Sequence, residues 1–139
     1  VYLIDTNILS ATAPHRPDAD ILRGWLTPAS GIFFSVITIT EIEDGIAKLL
    51  RQGATRKAAP FNAWLSDIME VYRDAILPVD IAVARHAGRL WDRARAIGHA
   101  PGLADLLIGA TAEHHELTVL TRNTRHFAPL GIRTINPYT

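Results

Sequence analysis

Asp5, Glu41 and Asp105 are the acidic side chains whose neighbours point to chemistry rather than to plain solvation. Asp5-Thr6-Asn7 follows the apolar run Val1-Tyr2-Leu3-Ile4. Ser35 to Thr38, and then Glu41, follow Ile32-Phe33-Phe34. Arg122-Asn123-Thr124 follows Leu117-Thr118-Val119-Leu120-Thr121, and Asp105 lies in the first turn of the helix predicted just before that run. In an open α/β sheet, ligands bind outside the carboxyl ends of the strands. Asp5, Glu41, Asp105 and Asn123 are therefore expected at one sheet edge. Three carboxylates crowded together repel, and a hard divalent cation offsets that repulsion. Mg²⁺ needs only one or two carboxylates, completing its shell with water and substrate phosphate. Held there, it would polarise a phosphodiester and help generate hydroxide. The Thr6 and Thr121 hydroxyls are placed to orient the carboxylates.

Each residue also has a purely structural reading. Asp5-Thr6-Asn7 could cap the helix that follows. Thr38-Ile39-Thr40-Glu41 fits a capping box, in which the Glu reaches back to a backbone N–H. Asp105 near a helix N-terminus is favoured by the dipole alone, and Asn123 could be a turn residue. The chemical reading rests on all four falling at one predicted edge.

The elements that must build this edge can be read from the apolar pattern. Val1–Ile4, Ile32–Val36, Ile76–Val79 and Leu117–Thr121 read as strands, with a short closing strand near Ile132–Thr134. Pro78 puts the third of these at an edge or a strand end. Helices are predicted over Asp18–Leu26, Thr38–Gln52, Phe61–Arg73, Ile81–Ile97 and Leu103–His115. Gly53 caps the second, and Pro101 is expected in the first turn of the last. The stretch 53–59 is the one loose connection. Strands that are apolar throughout and alternate with helices argue for an α/β fold, a parallel sheet covered on both faces, and one domain spanning 1–139.

Bulk properties exclude several classes. Fourteen Lys and Arg balance fourteen Asp and Glu, a net charge of +0, so nucleic acid would not be held by bulk charge. Absence of cysteine removes disulfides, a thiolate nucleophile and a cysteine zinc site. It suits a reducing cytoplasm, the expected location. No apolar run reaches the length of a membrane span, and the opening apolar run meets Asp5 too soon for a signal peptide.

In sequence order, the apolar strand ending in Asp5-Thr6-Asn7, the segment from Ser35 to Ile46 with Glu41, the segment from Asp105 to Ala112, and Leu117 to Asn123 with Phe127 resemble the four motifs of PIN-domain proteins. The tail Ile135-Asn136-Pro137 also fits. The resemblance spans nearly the whole chain and is nearest to VapC-type, FitB-like toxins of type II toxin–antitoxin systems in bacteria and archaea. It implies a PIN-like three-layer αβα sandwich with a mainly parallel central sheet, and an endoribonuclease using Mg²⁺, or Mn²⁺. By position, Asp5 and Asp105 would be the main metal ligands, Glu41 a direct or water-mediated one, and Asn123 the fourth polar residue. The family often has Asp just before the Phe of its fourth motif, where this chain has His126. The resemblance further implies a homodimer and a VapB- or FitA-type antitoxin that covers the acidic groove and makes any DNA contact itself.

RNA also needs cationic contacts. Arg122 and Arg125 flank Asn123, and Arg85, Arg89 and Arg93 recur along one helix, so these five are the candidates. Trp25, Trp64 and Trp91 read as core or dimer contacts, and His114-His115 as partners of a helix dipole. Three rivals compete. A haloacid-dehalogenase-like phosphatase would want a second Asp where Asn7 stands. A receiver-like acidic-pocket module would want a Lys after a late strand, where Thr121 and Arg122 stand. A catalytically weak PIN fold acting only as a binding or regulatory module would be favoured by loss of a core carboxylate, yet all three are present.

Overall fold

The computed structural model describes residues 1–17, 19–27 and 31–139. Among the described residues, five strands form one sheet: β1 (Tyr2–Ile4), β2 (Ile32–Ser35), β3 (Ile76–Leu77), β4 (Thr118–Leu120) and β5 (Thr134–Ile135). The order is β3-β2-β1-β4-β5 and every pairing is parallel. Tyr2 stands opposite Ile32 on one side and Thr118 on the other, so β1 is the centre. The helices are α1 (Thr6–Ser10), α2 (Ala19–Arg23), α3 (Val36–Arg51), α4 (Thr55–Val71), α5 (Ile81–Ala96), α6 (Leu103–His114) and α7 (Thr124–Phe127).

Strand alternation splits the core into two layers. Leu3 and Val119 pack on one face with Val83, Leu90, Leu106, Ile108 and Phe127 of α5, α6 and α7. Their chain neighbours Ile4 and Leu120 pack on the other with Ile8, Ile42, Ile46 and Leu65 of α1, α3 and α4. Because both faces are covered, the strands carry no polar side, and the expected three-layer αβα sandwich is what forms. Helix α6 lies deepest, with Leu106 and Ile108 to Ala112 all buried. Gly109 permits that depth. A β-carbon there would sit 2.7 Å from Ile132 Cδ1 and about as close as ordinary contact allows to Phe127 and Leu90.

Several boundaries differ from the sequence expectation. Helix α3 starts at Val36, two residues early, because Ser35 caps it by accepting from the Ile37 N–H. Helix α4 starts at Thr55 rather than Phe61, so most of the supposed loose stretch is helical. Residues 55–59 carry little apolar periodicity, yet Ala58 is buried there. Pro60 sits in the sixth position, where it costs one intrahelical hydrogen bond. Pro101 precedes the cap residue Gly102 of α6 instead of entering the first turn. Strand β3 stops before Pro78 and is an edge strand, as expected. The closing strand lies two residues later than expected, since Ile132 is spent on the core. Of the helix expected over Asp18–Leu26, Ala19–Arg23 is helical, while Asp18 and the stop at Pro28 lie outside the described residues.

Candidate active site

The sheet reverses its winding between β1 and β4. Strands β2 and β3 lie to one side of β1, and β4 and β5 to the other. Such a switch point opens a crevice at the carboxyl ends of the two strands. Asp5 and Thr121 are the first residues past those ends. They close it with a buried hydrogen bond, Thr121 Oγ1 donating to Asp5 Oδ2 at 2.7 Å. The Asp5 N–H donates to the Leu120 carbonyl at 3.0 Å, so the β1–β4 ladder continues into the site and fixes this pair.

Asp5 is only 5% exposed. It is the cap residue of α1, with Oδ1 accepting from the Thr6 N–H at 2.9 Å. The capping reading is thus part of the truth, but it uses one lone pair of a group that has about four. Burial pushes the Asp5 carboxyl above the usual aspartate range. The hydrogen bonds from Thr121 and Thr6 pull the other way, and the negative charges of Asp105 and Glu41 push it up again. Two carboxylates from distant parts of the chain are therefore near enough to act on a third.

Glu41 reaches the site from the second turn of α3. Its Oε1 accepts from Thr6 Oγ1 at 2.6 Å. The same Thr6 hydroxyl lies 3.0 Å from Oγ1 of Thr38, a fully buried residue. With Ser35 as cap, Thr38 is inside the helix and the capping-box account of Glu41 falls away. Asp105 is the third residue of α6. Its Oδ2 is 2.8 Å from Nδ1 of His126 on α7. A carboxylate only accepts, so Nδ1 carries the hydrogen. Asn123 caps α7 without a side-chain hydrogen bond, and its N–H donates to Thr121 Oγ1 at 2.9 Å. The Thr121 hydroxyl thus ties Asn123 to Asp5 through a single oxygen.

The donor set is all oxygen and all hard: two aspartates, a glutamate and an amide. Among the described residues, no three His, Cys, Asp or Glu side chains are grouped closely enough to hold a metal ion between them. An open edge offering one or two carboxylates suits Mg²⁺, which keeps several waters and takes oxygens from substrate phosphate. Zn²⁺ would ask for nitrogen or sulfur ligands in a tighter shell.

The basic candidates separate. Arg122 and Arg125 are exposed beside Asn123, and the Arg122 guanidinium lies 4.3 Å from the centre of the Tyr138 ring. Arg85 and Arg89 are exposed on α5. Arg93 is engaged within the fold: it donates to Glu113 Oε2 and to the Leu130 carbonyl, both at 2.7 Å. Its four-residue spacing from Arg89 is thus no mark of a common RNA-facing role. Trp25 and Trp64 pack into the core layer of α1, α3 and α4, Trp25 edge-on to Tyr2, while Trp91 is 43% exposed under Arg95. His114 ends α6 and meets His115 and His86 edge-on. His126 is the site residue to which sequence reasoning gave no role. A histidine in a four-residue helix has no spacing signal, and its partner is 21 residues away.

The strand order also disposes of the receiver-like alternative, whose sheet runs 2-1-3-4-5. Comparison with known proteins agrees with this geometry. A PIN-domain family model matches residues 2–131. The chain is 30% identical over 140 residues to Toxin FitB of Neisseria gonorrhoeae, covering 99% of each protein. It is 29% identical over 140 residues to VapC ribonuclease Y4jK of Sinorhizobium fredii, covering 99% of this chain and 98% of the relative. The solved structure of FitAB bound to an IR36 DNA fragment superposes with a TM-score of 0.85 at 29% identity, covering 100% of this chain and 96% of that one. By strand order, acidic switch point and sequence match, the chain belongs to the PIN-domain family.

Proposed function

We propose that this chain is the toxin of a type II toxin–antitoxin module, an endoribonuclease that hydrolyses RNA phosphodiesters with Mg²⁺, or Mn²⁺ in its place. The observation that carries the reading is the meeting of Asp5, Glu41 and Asp105 at the β1–β4 switch point, where burial raises the Asp5 carboxyl and the charges of Asp105 and Glu41 add to it. Relatives named Toxin FitB and VapC ribonuclease support it. A divalent ion bound here supplies Lewis-acid polarisation of the phosphate and a water of lowered pKa. Asp5 and Asp105 would hold the ion. Glu41, steadied by Thr6, and Asn123, whose backbone is tied to Thr121, would orient the attacking water. Arg122 and Arg125 take neighbouring phosphates of a single-stranded substrate, and cleavage leaves a 5′-phosphate and a 3′-hydroxyl.

The partners follow from the surface beside the site. A groove of about 290 Å³ between α1, α3 and α4 is lined by Ile42, Ile46, Leu49, Phe61 and Trp64, together with the charged Glu41 and Arg16. It fits a VapB- or FitA-type antitoxin segment that buries apolar side chains and sets a cation, such as an Arg, against the carboxylates. DNA contact belongs to the antitoxin, in keeping with the +0 charge of this chain. A homodimer belongs to the same reading. Ile81, 81% exposed, begins a strip of exposed residues on α5 that continues through Ala84 and Gly88 to Trp91 and would be covered in it.

Purified, antitoxin-free protein incubated with a panel of structured and single-stranded RNAs tests the reading. Cleavage is expected with Mg²⁺ or Mn²⁺, and none with chelator or in Asp5→Asn. Folded protein that cleaves nothing in any metal, or an Asp5→Asn variant as fast as the parent, would sink it.

A further inference from the structure

Each carboxylate of the acidic edge has its own donor. Asp5 accepts from Thr6 N–H and Thr121 Oγ1, and Glu41 accepts from Thr6 Oγ1. For Asp105 the donor is His126 Nδ1 at 2.8 Å. We infer that His126 is a positioning residue, whose Nδ1–H holds Asp105 in the orientation that receives the divalent ion. This inference rests on the metal-dependent reading above.

Two structural facts make His126 a fixed donor rather than a passing contact. First, it sits between two anchors. Its own N–H donates to the Asn123 carbonyl at 2.9 Å, and the next residue, Phe127, is fully buried. Second, Phe127 packs beside Gly109 of α6, four residues and about one turn beyond Asp105 on the same helix face. The packing of Phe127 against α6 therefore also sets the spacing between Asp105 and His126. Both side chains are about one-third exposed, so the bond is partly screened from water yet open to a ligand. It uses one lone pair of Oδ2 and leaves Oδ1 for an ion. Ligating carboxylates are commonly held this way, and losing such a partner typically weakens metal binding by about 10–100-fold.

The test measures Mn²⁺ alone, without RNA, by the paramagnetic resonance of the free ion. Parent protein, Asp5→Asn, His126→Ala and His126→Asn are compared, each first checked for native circular dichroism. His126→Ala is expected to bind Mn²⁺ about 10–100-fold more weakly. His126→Asn, whose amide N–H can replace the Nδ1–H, should recover most of that loss. Equal or tighter binding by His126→Ala overturns the inference, tighter binding meaning that His126 competes with the ion for Asp105. Failure of the Asn variant to recover would show that the imidazole, not its N–H, is what matters, and overturns it too. If the parent binds no Mn²⁺, the metal-dependent reading fails and takes this inference with it. If the parent binds and Asp5→Asn does not, that reading stands and the His126 variants alone decide.

Discussion

Asp5 is held at a cost to the fold. A carboxyl raised above its ordinary value by burial keeps its proton longer in the folded protein than in the unfolded chain. Stability then falls as pH rises from the usual aspartate range through the folded-state value, and the loss persists at neutral pH. Asp5→Asn removes the charge while keeping a carbonyl for the Thr6 N–H. In chelator at pH 7 the variant should have a higher urea midpoint than the parent, the gap closing at acid pH. Added Mg²⁺ should reverse the order. At about 100 times its Kd, the ion stabilises a protein that binds it by about 2.7 kcal/mol, and Asp5→Asn should gain none of this. A parent that is already the more stable in chelator at pH 7 would contradict the burial argument. Loss of stability in exchange for a charged site is the usual trade at functional positions.

At the scale of elements, three helices end in the same way and one breaks the rule of residue type. After α3, α5 and α6, the residue just past the cap is left-handed, and the two closing backbone bonds run from it and from its successor. These are Gly53 to Leu50 and Ala54 to Leu49, Gly98 to Arg95 and His99 to Ala94, and Glu116 to Glu113 and Leu117 to Ala112. The left-handed residue is glycine in the first two and Glu116, at φ 56°, in the third. A left-handed side-chain-bearing residue costs about 1–2 kcal/mol, part of which glycine gives back in unfolded-state entropy. Glu116→Gly is therefore expected to stabilise by roughly 0.5–1 kcal/mol, seen as a higher urea midpoint with unchanged m-value. No change, or a loss, would mean that the Glu116 side chain contributes more than its backbone strain costs. The same helix α6 carries Asp105 in its first turn.

Across the whole molecule, the layer formed by α5 and α6 is fastened by a polar cluster remote from the acidic edge. Glu113 accepts from His86 Nε2 at 2.6 Å and from Arg93 at 2.7 Å, and Arg93 also holds the Leu130 carbonyl beyond α7. Burial alone would raise the Glu113 carboxyl, but the hydrogen bonds and charges of Arg93 and His86 outweigh it and hold the group below its ordinary range. A lowered carboxyl contributes stability that is present above its unfolded value and is lost as pH falls through its folded one. The window lies below about pH 4.3. Urea titrations of Glu113→Gln should show a shallower loss of stability across that window than the parent. An unchanged slope would mean that the cluster adds nothing to acid sensitivity. Since Arg93 is built into this clasp, replacing it should disturb packing before it disturbs any RNA contact.

Much of this protein was legible from local pattern alone. Alternating apolar runs required a parallel sheet covered on both faces, because strands with no polar side must be buried twice. The positions of Asp5, Glu41 and Asp105 after strands or in a first helical turn then required a common edge. Element ends were less legible. Thr38 reads as the cap of α3, yet Ser35 caps it by accepting from the Ile37 N–H, and the Thr38 hydroxyl is seated against Thr6 instead. Residues 55–59 are helical with almost no apolar stripe to announce it. What the tertiary structure alone decided is the pairing of side chains that lie far apart in the chain. Thr121 bonds Asp5 across 116 positions, Thr6 bonds Glu41 across 35, and His126 meets Asp105 across 21. Such bonds depend on strand order and on how deeply a helix packs. Both are set by the sum of many apolar contacts and by the room left at Gly109, and local spacing carries no record of either.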